Sequence, residues 1–278
     1  MGFATVVLHM SPTKKKTIAK KGDKRLKMDN TKFKSPQHFE RYTQFYLKTP
    51  IIQERFMDLV DLRDTFIPKC FQDSGWDKLL SDLSRVYDPL IKEFYASAIL
   101  REDEINCWIR GHEFNIDIND VDDVLGFEDL DHDFTHYEYK MLSIETVQTR
   151  IGGVREGRCL NTTAFATDMR CLTVIMMFNL YPVKKMTIIN NARAIFLMEL
   201  KENTYIDISA HIFFIIADET RTTLRAKLIF PSLLMRLFKA RGVEIPQDIS
   251  LMSTPSTINT LTITRIRVRL SSDEKEGD

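Results

Sequence analysis

Apolar positions recur at helical spacing through the first third of the chain. Phe39, Tyr42, Phe45 and Tyr46, then Ile52, Phe56, Leu59 and Val60, form a stripe over residues 36–66, and Pro50 divides it into two predicted helices. Ser74-Gly75-Trp76-Asp77 reads as a helix start, a Ser cap with an acid three residues on, leading into Leu79, Leu80, Leu83, Val86 and Tyr87. Asp88-Pro89 opens the next helix, with Asp88 as N-cap and Pro89 at the first position, where its missing N–H costs nothing. Leu90, Ile91, Phe94, Tyr95, Ala98 and Ile99 form its apolar face. The period then drops to two. Ile105, Cys107 and Ile109 alternate with Asn106, Trp108 and Arg110, and Phe114 and Ile116 follow across Gly111-His112. A type II′ turn at Gly111-His112 predicts a β-hairpin over about 105–116, pairing Arg110 with Glu113, Ile109 with Phe114 and Cys107 with Ile116.

The remainder reads as helix and loop. Asn119 caps a short helix through Val121, Val124 and Leu125 that Gly126 ends. Residues 127–160 are polar and turn-rich, apart from a helix within 137–150. Residues 164–181 read as a buried helix with Asn179 inside its apolar run, and Thr187 to Lys201 and Ile206 to Ala217 as two more apolar segments. Ile212-Phe213-Phe214-Ile215-Ile216 alone suits a strand, but the length of its segment favours helix. Pro231 begins a last helix, with Leu233, Leu234, Leu237 and Phe238 inward, Lys239 and Arg241 in its final turn and Gly242 at its stop. A short strand is expected at 261–270. The fold class is mainly α: one multi-helix domain over 36–250 with a single hairpin, preceded by a disordered basic arm at 1–35 and followed by a partly disordered tail at 251–278.

Composition excludes collagen-like, mucin-like and wholly disordered chains, since 44% of the 278 residues are hydrophobic and Gly and Pro are sparse. No apolar run approaches the ~20 residues that span a bilayer. The opening ten residues lack the basic flank of a secretory signal, and Val6 stands where a myristoylation motif needs Ser or Thr. Four scattered cysteines, at 70, 107, 159 and 171, suit a reducing compartment. The net charge of zero conceals a segregation. Residues 11–34 hold ten Lys/Arg against Asp23 and Asp29, a net +8, so the rest of the chain carries −8. Lys14, Lys15, Lys16, Lys20, Lys21, Lys24, Arg25 and Lys27 are therefore the candidate nucleic-acid contacts: such an arm binds phosphate by counterion release or serves as a nuclear import signal. A solvated tail that touches nothing explains the same charges.

Other chemistry is thin. Glu128, Asp129, Asp131, His132, Asp133 and His136 are the best metal-like cluster, with His132 and His136 at i, i+4, but dense carboxylates in a loop are ordinarily just solvated. Asp73-Ser74-Gly75 matches the tripeptide of retroviral-type aspartic proteases without the preceding apolar strand. Cys107 and His112 are spaced like part of a zinc knuckle, but Glu104 stands where a further Cys is needed. Three-carboxylate transposase and phosphate-loop readings find neither their separated acids nor a Gly-Lys-Ser/Thr. Trp76, Phe94, Tyr95, Trp108 and Phe230 could stack bases, yet all lie beside apolar faces that suit core packing. No catalytic residue, resident metal or cofactor is assigned.

Order and wording together resemble a known family. Gly75-Trp76, Tyr87-Asp88-Pro89-Leu90-Ile91-Lys92-Glu93-Phe94-Tyr95-Ala96, Trp108-Ile109-Arg110-Gly111 and the VDDVLG of Val121 to Gly126 resemble the "putative plant transposon protein" domain. So do Leu172-Thr173, Tyr181-Pro182, Ala192-Arg193-Ala194-Ile195, Ile206-Asp207-Ile208 and Leu228-Ile229-Phe230-Pro231-Ser232-Leu233-Leu234 with Gly242-Val243, giving a likeness over about 38–246. Ser97, His112 and Ile229 depart from the usual pattern. The resemblance implies a mobile-element origin in plants and transfers no catalytic residue. The function expected is a non-enzymatic interaction or assembly module, nuclear or otherwise cytoplasmic. Its arm gives weak, sequence-independent nucleic-acid affinity, and its protein partners and oligomeric state stay open. The alternatives are a metal-dependent hydrolase or nuclease remnant using 128–136, and an inert relic.

Overall fold

The structure, a computed structural model, describes residues 27–127, 142–183, 186–221, 227–245, 251–262 and 264–265. The predicted acidic and His cluster at 128–136, and the candidate nucleic-acid contacts Lys14, Lys15, Lys16, Lys20, Lys21, Lys24 and Arg25, lie outside these residues; Lys27 is exposed. The described chain is mainly helical, but it holds two small three-stranded antiparallel sheets rather than the single hairpin expected.

Helix α1 (Pro36–Arg41) starts with the Ser35 side chain accepting from the His38 N–H and continues into a wider π turn over Tyr42–Tyr46. The second helix expected after Pro50 does not form. Residues 51–58 instead run extended, because partners from distant segments take their backbone groups: Ile52 N–H donates to Leu228 O (2.8 Å), Asp58 N–H to Ile258 O (3.1 Å), and Ile258 N–H to Phe56 O (2.8 Å). The Asn179 side chain completes the pairing, accepting from Arg55 N–H (3.1 Å) and donating to Arg55 O (2.7 Å). That explains a buried asparagine inside an apolar run.

Helix α2 (Ile67–Gln72) is followed by α3 (Asp77–Ser81), which is shorter than the stripe predicted, so that Leu83 to Tyr87 are extended. Ser74 does not cap α3; its hydroxyl donates back to Cys70 O. Helix α4 (Asp88–Ser97) has Pro89 in its first turn, but Asp88 is its first residue and bridges Lys92 (2.7 Å) rather than capping. It is the central element, packed against α1, the hairpin and the later helices at Ile208–Arg221 and Pro231–Ala240, with every residue from Leu90 to Ser97 buried.

The first sheet is a meander of β1 (Ile99–Arg101), β2 (Glu104–Ile109) and β3 (His112–Ile116). Its turn corrects the predicted register. Arg110 and Gly111 are the central residues, both at positive φ (49° and 89°), which makes a type I′ turn; Ile109 pairs with His112, Trp108 with Glu113, Cys107 with Phe114 and Ile105 with Ile116. The slip leaves the apolar residues on their predicted face and adds Ile105 opposite Ile116, while freeing Arg110 to reach Glu93 at 2.8 Å. Helix α5 (Ile118–Leu125) is capped by Asp117 in a reciprocal capping box with Asp120, two residues before the Asn119 expected, and ends at Gly126 in the left-handed region as predicted.

Helix α6 (Ile144–Ile151) leads into the second sheet, β4 (Val154–Glu156), β5 (Cys159–Asn161) and β6 (Ile188–Asn190), which no sequence signal indicated. Between β5 and β6 stand a 3₁₀ turn (Thr162–Ala164), α7 (Thr167–Ile175) and a π turn (Met176–Leu180), in place of one helix over 164–181. Helix α8 (Asn191–Lys201), α9 (Ile208–Arg221) and α10 (Pro231–Ala240) follow; α9 settles Ile212 to Ile216 as helix. The expected strand at 261–270 is helical over its described residues. Phe33 is buried against Phe39 and Tyr42, and Ile258 is fully buried. Among the described residues no helix is long and apolar enough to cross a membrane.

Candidate functional site

The family-like motifs meet around α4. Tyr95 donates its hydroxyl to Ile229 O (3.1 Å) and accepts from Ile229 N–H (3.3 Å), so one side chain satisfies both backbone groups of a residue in the Leu228–Leu234 run. Ser97 does the same for Trp108, donating to its carbonyl (2.8 Å) and accepting from its N–H (3.1 Å). Arg241 bonds Asp120, and Arg236 donates to Val124 O, tying VDDVLG to α10. Phe230 itself sits in the left-handed region (φ 49°) and has no side chain able to cap α10. Glu54 caps it from 178 residues away: both its oxygens accept from Ser232 N–H (3.0 Å) and one also from Leu233 N–H (3.1 Å). Burial pushes this carboxyl up to about 7, against the downward pull of those N–H groups.

Two other buried carboxylates, Glu93 and Glu219, are similarly engaged. Glu93 is raised by burial and pulled back by Arg110. Glu219 accepts from Lys227 through both its N–H and its ammonium. Burial pushes the Cys70 and Cys171 thiols up, to about 11 and about 12, and Cys107 higher still, so none of these three is an activated nucleophile. Cys107 is buried, while His112 is exposed at the hairpin tip. Among the described residues no three His, Cys, Asp or Glu side chains converge to hold a metal ion.

Two surface clefts among the described residues are large enough to hold a small molecule. One, of about 350 Å³, runs beside Glu54 and is lined by Gln53, Ser84, Arg85, Ser232 and Met252. The other, of about 370 Å³, lies between the end of α2, the segment that follows α5 and the start of α9, and is lined by Asp73, Trp76, Phe127, Asn203, Tyr205 and Ser209 among others. The tripeptide Asp73-Ser74-Gly75 is thus at the lip of a cleft, with Asp73 held by the Asn203 side-chain amide at 3.0 Å. Asn203 has a positive φ (55°), a conformation asparagine tolerates at a helix end. Ser209 is 1% exposed and its hydroxyl has no hydrogen-bond partner. Of the aromatics that the sequence offered for stacking, Trp76 alone lines this cleft; Phe94, Tyr95 and Phe230 are in the core, and Trp108 is half-buried under Lys34, whose ammonium is 5.7 Å from its ring centre. Asn203 and Ser209 carried no sequence signal, because Asp73 and Trp76, which share the cleft with them, are more than a hundred residues away.

The chain matches the family model described as "Putative plant retrotransposon-related domain" over residues 72–244. The chain belongs to that family. The match spans the hairpin, both sheets and the helices from α3 to α10, with the Gly75-Trp76, VDDVLG and Leu228–Leu234 runs all inside it. No curated protein and no solved structure matches the chain.

Proposed function

We propose that this retrotransposon-related domain is a non-enzymatic interaction module that works in the nucleus, with a helical body that contacts protein and a basic arm that holds nucleic acid weakly and without sequence preference. The charge segregation carries the reading: net +8 over residues 11–34 against −8 over the rest of the chain. A run of lysines with few acids releases counterions from a phosphate backbone whatever the base sequence. Support for a non-enzymatic body comes from the use of its buried charges. Glu54, Glu93 and Glu219 are each engaged with backbone N–H groups or a cation in structural contacts.

The test replaces Lys14, Lys15, Lys16, Lys20, Lys21, Lys24, Arg25 and Lys27 by Gln in the full chain. Binding to duplex DNA and to single-stranded RNA is then followed by anisotropy over a salt series, and nuclear accumulation by a fluorescent fusion. Loss of affinity, of its salt slope and of nuclear accumulation supports the proposal; unchanged values overturn it. Divalent-metal calorimetry adds an independent outcome. Binding abolished by Asp131→Ala with His132→Ala would overturn the non-enzymatic reading in favour of a metal-dependent hydrolase.

A further inference from the structure

Two segments that flank the family match at 72–244 hold each other on the surface of the body. Residues 256–260 run beside residues 55–61 and pair with them in parallel at Met57 and Ile258. The contacts select alternate residues of the later segment. Arg55 donates from its guanidinium to Ser256 O (2.7 Å) and to Ser256 Oγ (2.6 Å). Ile258 is fully buried, and its N–H and O bond Phe56 O and Asp58 N–H. Asp61 Oδ2 accepts from both the N–H (2.8 Å) and the hydroxyl (2.7 Å) of Thr260. Backbone bonds with every second side chain seated are how a protein recognises an added extended segment.

The attachment is local. Before Ser256 the segment bridges the cleft of about 350 Å³, with Leu251, Thr254 and Pro255 on one side and Glu54, Ser84 and Arg85 on the other. Its tie there is Met252 N–H to Val86 O (2.9 Å). Nine residues separate Met252 from Val243 at the exit of α10, enough chain to reach about 30 Å. Apolar surface collects along the same seam. Of the ten large hydrophobic residues exposed among the described residues, Phe56, Val60, Leu251 and Leu261 belong to these two segments. Phe56 makes a bond between the segments, and Val60 and Leu261 adjoin residues that do. An exposed apolar rim favours contact with another surface.

A second copy answers every part of this arrangement. It offers the same Ser256, Ile258 and Thr260, and it brings an identical apolar rim. Exchange of the segment about a two-fold axis keeps each hydrogen bond and sets the two rims together, an isologous contact. We propose that residues 55–61 are the docking site for the 256–260 segment of a second copy, so that the chain assembles by reciprocal exchange. This rests on the proposed function in taking the body as a protein-contacting module, and it names the contacted protein as the chain itself. Within one chain the tethered segment competes at a ~mM effective concentration, so exchange depends on protein concentration.

The experiment uses two full-length variants. One carries Arg55→Ala with Asp61→Ala, which weakens the docking site and leaves the segment intact. The other carries Ile258→Asp, which leaves the site intact and spoils the segment. Sedimentation velocity should show each alone as a monomer and their mixture, at roughly 100 μM each, as a heterodimer. The wild-type chain should show a dimer that grows with concentration. A labelled synthetic peptide of residues 251–264 should bind the Ile258→Asp chain at least tenfold more tightly than the wild type, whose own segment competes, and the peptide carrying Ile258→Asp should bind neither. Discrimination between the two peptides by the wild-type chain needs no variant to fold. Replacing the eight arm cations by Gln should leave assembly unchanged, so that failure of the arm reading and failure of this one are seen separately. Absence of both heterodimer and wild-type dimer overturns the proposal. Peptide binding without any dimer of full chains overturns it too, in favour of a partner's segment at the same site. So does a dimer that each variant forms alone, because it would use another face.

Discussion

Two buried titratable side chains give this protein opposite responses to pH. Glu54 is raised from 4.5 to about 7 because burial disfavours its charge more than the α10 N–H groups favour it. A raised carboxyl contributes stability that is fully present below 4.5 and is lost as pH rises through about 7. That loss should amount to on the order of 3 kcal/mol and be absent in Glu54→Gln, which keeps an acceptor for the helix and has no charge to desolvate. Denaturant titrations of both proteins at a series of pH values will show it as a stability difference that changes between pH 4.5 and 7. His211 behaves in the reverse sense. It is fully buried, stacked on Phe196 at 4.4 Å with its Nε2 bonded to Leu180 O, and burial lowers it from 6.5 to about 3. Its contribution is complete above 6.5 and disappears as pH falls toward 3. His211→Gln should therefore flatten acid unfolding across that window, by several kcal/mol, when the same titration is carried to low pH.

At the level of elements, turn chemistry decides as much as periodicity does. The hairpin was legible as a hairpin because both of its apolar edges follow period two. Its register was not, because Gly111 serves as the second residue of a type I′ turn as readily as the first of a type II′, and only the reach of Arg110 to Glu93 and the pairing of Ile105 with Ile116 separate them. Gly126 and Gly242 ended their helices as the sequence indicated. The second sheet escaped notice because strands of three residues are too short to display a period. Its entrance depends on Gly153, where φ is +91° and an added Cβ would stand 2.5 Å from the Phe165 ring in the core. Gly153→Ala combines a disfavoured backbone with that overlap and should cost on the order of 2–4 kcal/mol. Gly157→Ala, also at positive φ (63°) but facing open space, should cost about 1 kcal/mol. Thermal unfolding of the pair would measure the clash by difference, and equal losses would refute it.

For the molecule as a whole, charge is segregated while apolar surface is shared. Elements far apart in the chain use α4 as a common floor, so residues 51–58, 228 and 258 join one core. On the proposed reading, the effect of the basic arm on binding is electrostatic. Each of its cations that meets a phosphate should contribute about −0.9 to the slope of log K against log salt on duplex DNA and about −0.7 on single strands. The eight-Gln variant should lose that slope in proportion to the contacts made, with thermal stability of the body unchanged in a melt run alongside.

The amino-acid sequence determined the helical class, the central Asp88–Ser97 helix with its apolar face, the hairpin, the glycine stops and the family, because these depend on neighbours within a few residues of one another. Tertiary structure alone decided that 51–58 is extended, that Asn179 serves a distant peptide, that Glu54 caps α10 and that Asp73, Asn203 and Ser209 share a cleft. Each of those depends on backbone or side-chain groups 100 or more residues apart, whose hydrogen-bonding needs are satisfied only once the core has brought them together.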